Sequence, residues 1–257
     1  MPLSVARKLA VAGALLVLIG IMSPAAMASW SAGIAATQGQ SPYKGVATNP
    51  NTIPAFISYR GRFAYIQGLE AGINAWGTGG AWGGLQASVL VSGRLAGYSS
   101  SDSQFLAGMD NRGWSLDGGV GFSGRYNGHQ FAIKAVHDLL DKHQGHELSG
   151  SYSYAFQVTE QLSVRPGVAL IWQSANLLNY YYGVTEAEVR KDIGRTAYQA
   201  DAGWKPSLTL NLSYALTQKD SLMLAARTRR LPDSVVDSPL VDREYVTGVF
   251  VAYLRRF

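Results

Sequence analysis

The chain has 257 residues, with 22 basic and 17 acidic side chains and a formal charge of +5 at pH 7, too small and too dispersed to indicate a nucleic-acid partner. Charged residues make up 15% of the sequence, below the roughly 25% typical of soluble globular domains. The 29 glycines argue against a helical bundle, and the absence of cysteine excludes disulfides, thiolate metal sites and a cysteine nucleophile.

The first 28 residues have the pattern of a secretory signal peptide. A basic start that includes Lys8 precedes an uncharged apolar run, 9–22, which is shorter than the ~20 residues that a membrane helix needs. Residues 26–28 read Ala-Met-Ala, a typical cleavage site. We therefore expect 1–28 to be removed and 29–257 to form the single mature domain. An uncleaved anchor is the alternative.

Beyond the signal peptide, apolar and polar side chains alternate along the chain. Between Leu85 and Gly97, alternate positions carry leucine, alanine, valine or glycine, while the positions between them are mainly serine, glutamine and arginine. Successive side chains of a strand point to opposite faces, so this period of two predicts strands with one apolar face. We predict about twelve strands: 30–38, 53–60, 62–67, 69–76, 84–97, 114–126, 129–139, 147–157, 162–175, 204–216, 220–231 and 245–257.

The lengths of these strands and of their connections indicate a membrane barrel. Several strands have about 11–13 residues, whereas soluble strands usually have ~5–6 and tilted membrane-spanning strands need ~9–11. Short connections, such as the hairpin signal Asn127-Gly128, alternate with long ones. Outer-membrane barrels have short periplasmic turns and long outer loops. We predict an all-β, transmembrane, antiparallel up-and-down β-barrel of about 12 strands, surrounded by outer-membrane lipid. A large soluble β-sandwich is the alternative.

Aromatic residues near the ends of predicted strands support this interpretation. Trp114 and Trp204 fall at one rim and Tyr126 at the other, as in the aromatic girdles of membrane barrels. The final strand ends with Tyr253 and Phe257 on its apolar face. A terminal aromatic after alternating apolar residues resembles the signal that the barrel-assembly machinery recognises. We therefore expect that machinery to be a partner.

Charged residues fall mainly on the polar faces of the predicted strands. A Lys or Arg that faces lipid at the bilayer midplane costs roughly 2–4 kcal/mol, so these side chains are expected to face the lumen. The candidate lumen charges are Glu70, Arg94, Asp117, Arg125, Lys134, Arg165, Lys205, Arg227 and Arg229, together with Asp138 and Glu147. Two interpretations stay open: a plug of ion pairs and hydrogen bonds, or a narrow water path that slightly prefers anions.

Catalytic and metal-binding patterns are weak. The four histidines are His129, His137, His143 and His146. The segment from His143 to Glu147 has metal-ligating residue types, but it falls in a predicted hairpin loop. We therefore expect an exposed polar loop, with opportunistic binding of a divalent ion as the alternative. No serine carries the local signature of a hydrolase nucleophile. We expect no catalytic residue, metal or cofactor.

Several specific motifs lie in the second half of the chain. They are Asn179-Tyr-Tyr-Tyr-Gly-Val-Thr-Glu-Ala187, which is the most specific, then Tyr198-Gln-Ala-Asp-Ala-Gly203, Arg230-Leu-Pro-Asp233 and Asp237-Ser-Pro-Leu-Val241. These motifs resemble the MltA-interacting protein (MipA)/OmpV family of outer-membrane proteins. The likeness covers nearly all of 29–257. It implies a barrel in the outer membrane of a Gram-negative cell and supplies no catalytic residues. For the founding member it implies a scaffold that links a murein (peptidoglycan) hydrolase to a murein synthase.

Two other functions stay open beside the scaffold. The first is a narrow channel for small solutes. The second is adhesion through the predicted outer loops 98–113 and 176–203, because members of the family are also described as adhesins or surface antigens. In the longer loop, Thr185 and Glu188 fit a capping box and Gly194 fits a helix end. We predict a short helix near 186–193 that folds over the barrel mouth. An irregular loop is the alternative.

Overall fold

The computed structural model describes residues 29–48, 51–78 and 83–257, so the predicted signal peptide lies outside the described residues. The strands are β1 Ser29–Gly39, β2 Asn51–Arg60, β3 Ala64–Gln67, β4 Glu70–Gly77, β5 Gly83–Arg94, β6 Ser115–Tyr126, β7 His129–Asp138, β8 His146–Tyr154, β9 Phe156–Gln157, β10 Leu162–Gln173, β11 Gly203–Ala215, β12 Asp220–Arg230 and β13 Tyr245–Arg256. Two short helices are α1 Ala175–Tyr182 and α2 Asp233–Val236. In the described ranges, no helix is both long enough and apolar enough to cross a membrane.

The strands form one antiparallel sheet that closes on itself. β1 pairs with β2 on one side and with β13 on the other, and β10 pairs with both β8 and β11. The short β9 continues β8 after an interruption at Ala155 and pairs with the start of β10. β8 and β9 therefore share one strand position, and the barrel has twelve positions around its wall. The predicted twelve-stranded antiparallel barrel is confirmed.

The two faces of the sheet differ in polarity as the alternation predicts. In β5, Leu85, Val89 and Val91 are exposed on the outer surface, whereas Leu90 is buried inside and Arg94 shares its face. The other long strands also carry exposed large apolar side chains at alternate positions. Closing the sheet leaves no free edge. The apolar outer face is suited to contact with the lipid of a membrane.

The main hydrophobic core lies in the long connections at one end of the barrel. Its buried members are Tyr43, Tyr98, Leu106, Met109, Leu177, Leu178, Tyr181, Val184, Ala200, Leu231, Val235, Leu240, Val241 and Val246. Helix α1 contributes three of them, and almost all the others come from the connections β1–β2, β5–β6, β10–β11 and β12–β13. We call the connections 40–48, 95–114, 139–145, 174–202 and 231–244 the cap, and the opposite end of the barrel the short-turn end.

The helix predicted near 186–193 is wrong. The capping box between Thr185 and Glu188 is present, but it begins a single 3-10 turn, Glu186–Glu188. A second 3-10 turn, Lys191–Ile193, ends at Gly194 with a φ of 73°. The two turns stay separate because the backbone of Arg190 pairs with that of Arg195 and reverses the chain. The α-helix of this loop is α1, which lies earlier in the chain.

Candidate functional site

Ion pairs bridge the barrel interior beneath the cap. Arg94 donates to Asp117 at 2.5 Å and to Glu147 at 3.0 Å. Gln173 donates a further hydrogen bond to Glu147 at 2.7 Å. These side chains come from β5, β6, β8 and β10. The network therefore links a broad arc of the wall through the lumen, as expected of buried charges that must be paired.

A second ion pair joins β4 to β7 across the interior. Lys134 Nζ lies 2.5 Å from Glu70 Oε2, and the Tyr65 hydroxyl donates to Glu70 Oε1 at 2.9 Å. Both ion-pair groups join strands that are not neighbours in the sheet, so their side chains extend into the lumen. This arrangement favours the plug over the channel for this part of the lumen.

Positive side chains predominate along the rest of the interior face. Lys205, Arg227 and Arg229 lie on β11 and β12, and Lys205 is repelled by both arginines. Closer to the short-turn end, Arg125 is repelled by Arg60 and Arg165. Arg165 also donates to Gln130 at 3.3 Å. The interior therefore carries paired charges under the cap and an excess of positive charge elsewhere.

All nine candidate lumen charges lie on the strand face opposite the exposed apolar side chains. Arg60, Gln173 and Ser207 share that face but were not among the predicted site residues. Arg60 lies two and four residues after Ser58 and Phe56 in β2, on the same face, so the alternation of the sequence could have identified it. Gln173 and Ser207 are uncharged and carry no signal that separates them from other polar residues on the strands.

The expected exposed loop of histidines is wrong for His143, which is only 4% exposed. Its Nδ1 accepts a hydrogen bond from the Gly145 N–H, so Nε2 carries the proton and donates to Asp117 Oδ1 at 3.1 Å. Asp138 accepts hydrogen bonds from the backbone N–H groups of Leu140, His143 and Gln144. The loop therefore folds inward beneath α1 instead of outward into solvent.

Asp117, Asp138 and His143 have potential metal ligands within 4.8 Å of one another. Each of these side chains already makes the hydrogen bonds described above. A metal ion would have to break several of them, so the donor set fits a structural role in the 139–145 loop. The two histidines that flank this loop, His137 and His146, stack with their ring centroids 4.5 Å apart on the exposed side.

Glu188 joins two connections of the cap. It is 4% exposed and accepts hydrogen bonds from the Thr185 N–H and hydroxyl, from the Asp110 N–H and from Arg112. Burial alone would raise the pKa of Glu188. The hydrogen bonds from Thr185 and Asp110 and the charge of Arg112 outweigh burial and lower this pKa below its usual value.

Arg195 completes this junction. Its side chain is fully buried and donates to the backbone carbonyls of Glu188, Phe105 and Ala107 at 2.8, 2.5 and 3.1 Å. Phe105 and Ala107 belong to the connection β5–β6, whereas Arg195 belongs to the connection β10–β11. The two longest connections are thus tied together by charge-assisted hydrogen bonds as well as by the apolar core.

The C-terminal aromatics lie on the outer surface at the short-turn end. The Tyr253 hydroxyl donates to Asp220 at 2.6 Å, and the Phe257 N–H donates to the Trp30 carbonyl at 3.0 Å. The side chain of Phe257 is exposed. Recognition of these residues by the barrel-assembly machinery stays a prediction.

The family model and a named relative both point to the same protein family. The model of the family described as MltA-interacting protein MipA matches residues 32–257. The MltA-interacting protein of Escherichia coli K12 is 28% identical over 230 residues, covering 85% of this chain and 90% of that protein. YiaT of the same organism, named as an outer membrane protein, is 27% identical over 239 residues, covering 89% and 92%. The NanC porin structure aligns with a TM-score of 0.41 at 9% identity, covering 89% and 98%.

Proposed function

The chain belongs to the MltA-interacting protein MipA family and is an outer-membrane β-barrel, and we propose that it is a non-enzymatic scaffold for a murein hydrolase and a murein synthase. The name of the E. coli relative, which describes an interaction with MltA, suggests the hydrolase as a partner. The synthase is proposed from the resemblance to the founding member of the family.

The packed cap is the observation that carries this proposal. A channel needs a continuous wet path, but the cap covers one mouth with a buried apolar core and with the Glu188 and Arg195 hydrogen bonds. Below it, the ion pairs of Arg94 and Lys134 cross the lumen. A closed, internally braced barrel is suited to presenting fixed surfaces to partners.

The environment of the buried histidine supports a function without catalysis. Asp117 accepts hydrogen bonds from both His143 and the Ser115 hydroxyl, the latter at 3.5 Å. The serine thus donates to the carboxylate and not to the imidazole. An activated serine nucleophile needs the hydrogen bond to the imidazole.

The short-turn end is the surface that we assign to the murein enzymes. Outer-membrane barrels keep their short turns in the periplasm, where murein lies. The described turns at this end are 61–63, 127–128, 158–161 and 216–219, and they include the exposed residues Phe63, Glu160 and Gln218.

Site-specific photo-crosslinking in intact cells tests this assignment. A photoreactive residue at Glu160 or Gln218 is expected to capture a murein hydrolase. The matched control at Lys142, which is also exposed but belongs to the cap, is expected to capture none. Absence of murein enzymes from both short-turn positions, or equal capture at Lys142, would contradict the scaffold.

The second candidate function is a narrow anion channel, which the excess of interior arginine and lysine favours. Recording from purified protein in planar bilayers separates the two candidates. The scaffold predicts no stable conductance steps, whereas the channel predicts steps with anion selectivity. Opening of the cap would be required for the latter.

A further inference from the structure

Four polar side chains on the inner face of β11 and β12 form one patch. Ser207 lies directly opposite Arg229 in the strand register, and Thr209 lies opposite Arg227. Lys205 is two residues from Ser207 on the same face. Neighbouring strands are ~4.8 Å apart and residues i and i+2 are about 7 Å apart, so Lys205, Ser207, Arg227 and Arg229 surround an area about the size of one small anion and its ligands.

The Ser207 hydroxyl gives the first indication of a ligand. Ser207 is 5% exposed, and its Oγ has no hydrogen-bond partner among the described residues. Buried hydroxyls are nearly always hydrogen-bonded, because an unsatisfied one loses its hydration without compensation. The alternation of β11 directs this Oγ into the lumen. A ligand oxygen at this position would satisfy it.

The balance of charge around Lys205 gives the second, independent indication. Lys205 is attracted by Glu147 and repelled by Arg94, Arg227 and Arg229. Glu147 already accepts hydrogen bonds from Arg94 and Gln173. Glu147 thus attracts several cations, and the positive side chains around Lys205 outnumber this carboxylate.

We propose that this patch binds a small soluble oxyanion, a solute that carries a phosphate or a carboxylate group. Lys205, Arg227 and Arg229 would supply charge-assisted contacts, and the Ser207 hydroxyl would donate to an anion oxygen. The proposal does not depend on the scaffold function, because a closed barrel and a conducting barrel could both hold an anion here.

The charges around the patch indicate its direction of access. On the cap side, Tyr182 of α1 lies near enough to Arg94 and Arg229 to interact with them electrostatically. Toward the short-turn end, Arg60, Arg125 and Arg165 add positive charge to the interior face. A lining of one sign raises the local concentration of the opposite ion. The anion is therefore expected to enter from the short-turn end.

Calorimetric titration of the purified barrel in detergent micelles, free of lipopolysaccharide and in constant chloride, tests the proposal. The probes are inorganic phosphate and succinate. At least one probe is expected to bind saturably, and Arg227→Gln is expected to weaken binding by roughly tenfold or more. Ser207→Ala removes a single oxygen, so folding is retained, and it is expected to weaken binding about tenfold, as the loss of one hydrogen bond to a charged group.

Arg230→Gln is the matched control. Arg230 neighbours Arg229 in β12 but faces the opposite side, where it pairs with Asp233 and Glu244. Binding by Arg230→Gln is expected to equal that of the unaltered protein. Failure of both probes to bind at millimolar concentration, or full binding by Ser207→Ala, would overturn the proposal. Competition by added lipopolysaccharide would overturn the assignment to a soluble anion, because it would identify a lipid phosphate as the ligand.

Discussion

Replacing Glu188 by glutamine should loosen the cap and leave the barrel intact. One carboxylate oxygen accepts from the Asp110 N–H and Arg112, and the other accepts from the Thr185 N–H and hydroxyl. In Glu188→Gln, one of these oxygens becomes an NH2 group, which cannot accept a hydrogen bond. The change also leaves the partly buried charge of Arg112 without its strongest partner.

The size of the effect follows from those contacts. Breaking a buried ion pair by neutralising one member costs about 3–5 kcal/mol. Taking the lower value, because two of the four hydrogen bonds can persist, the free energy of cap opening should fall by about 3 kcal/mol. Amide exchange at Leu106 and Met109 should then accelerate by roughly 100-fold.

Hydrogen exchange of the folded protein in micelles measures this change. The amide of Val89 in β5 serves as an internal reference and should keep its rate. Glu186→Gln is the matched control, since Glu186 occupies the same 3-10 turn but is exposed. Unchanged exchange at Leu106 in Glu188→Gln, or equal acceleration in Glu186→Gln, would refute the role of the buried carboxylate.

The remaining predictions address the cap, the outer surface, the buried histidine and the export signal. Arg195→Lys should lower cap stability by about 3 kcal/mol in the same exchange assay, because lysine cannot reach three carbonyls at once. Below pH ~4.5 the cap should open more readily, because the pKa of Glu188 is lower in the folded than in the unfolded protein, so the stabilisation by this carboxylate is lost as pH falls through the folded pKa. Glu188→Gln should abolish this pH dependence. A cap stability that does not change with pH in the unaltered protein would contradict the prediction. Val89→Arg should cost about 2–4 kcal/mol in urea unfolding from vesicles, whereas Val89→Leu should be nearly neutral. A chelator should leave the melting temperature unchanged, because the potential ligand atoms around His143 already have hydrogen-bond partners. A lower melting temperature with the chelator would indicate a bound metal ion. Mass spectrometry of the exported protein should give an N-terminus at Ser29.

The strands could be predicted because the membrane imposes their pattern locally. Each residue of a barrel strand faces either lipid or the lumen, so polarity alternates whatever the neighbouring strands are. The predicted strand 129–139 differs from β7 by one residue, and 114–126 differs from β6 by one. The same rule places the charged side chains of the strands on the face away from lipid, since an Arg or Lys facing lipid is costly.

The cap could not be predicted because its contacts are distant in sequence. Helix α1 has no side-chain hydrogen bond at its N-cap, and its buried face contacts residues such as Tyr43 from another connection. His143 was expected at the surface, where such residues usually lie, and no local pattern identified Arg195 as buried. They are buried because partners from other connections satisfy their hydrogen bonds, which a local pattern does not reveal.

Spin-label scanning along β5 tests the central assignment of the two faces most directly. The chain has no cysteine, so single cysteines can be introduced from residue 85 to 92 without a background signal. In lipid vesicles, oxygen accessibility should peak at Leu85, Ala87, Val89 and Val91 and fall at the intervening positions. Accessibility without a period of two, or with maxima at Gln86 and Ser88, would contradict a barrel whose apolar face contacts lipid.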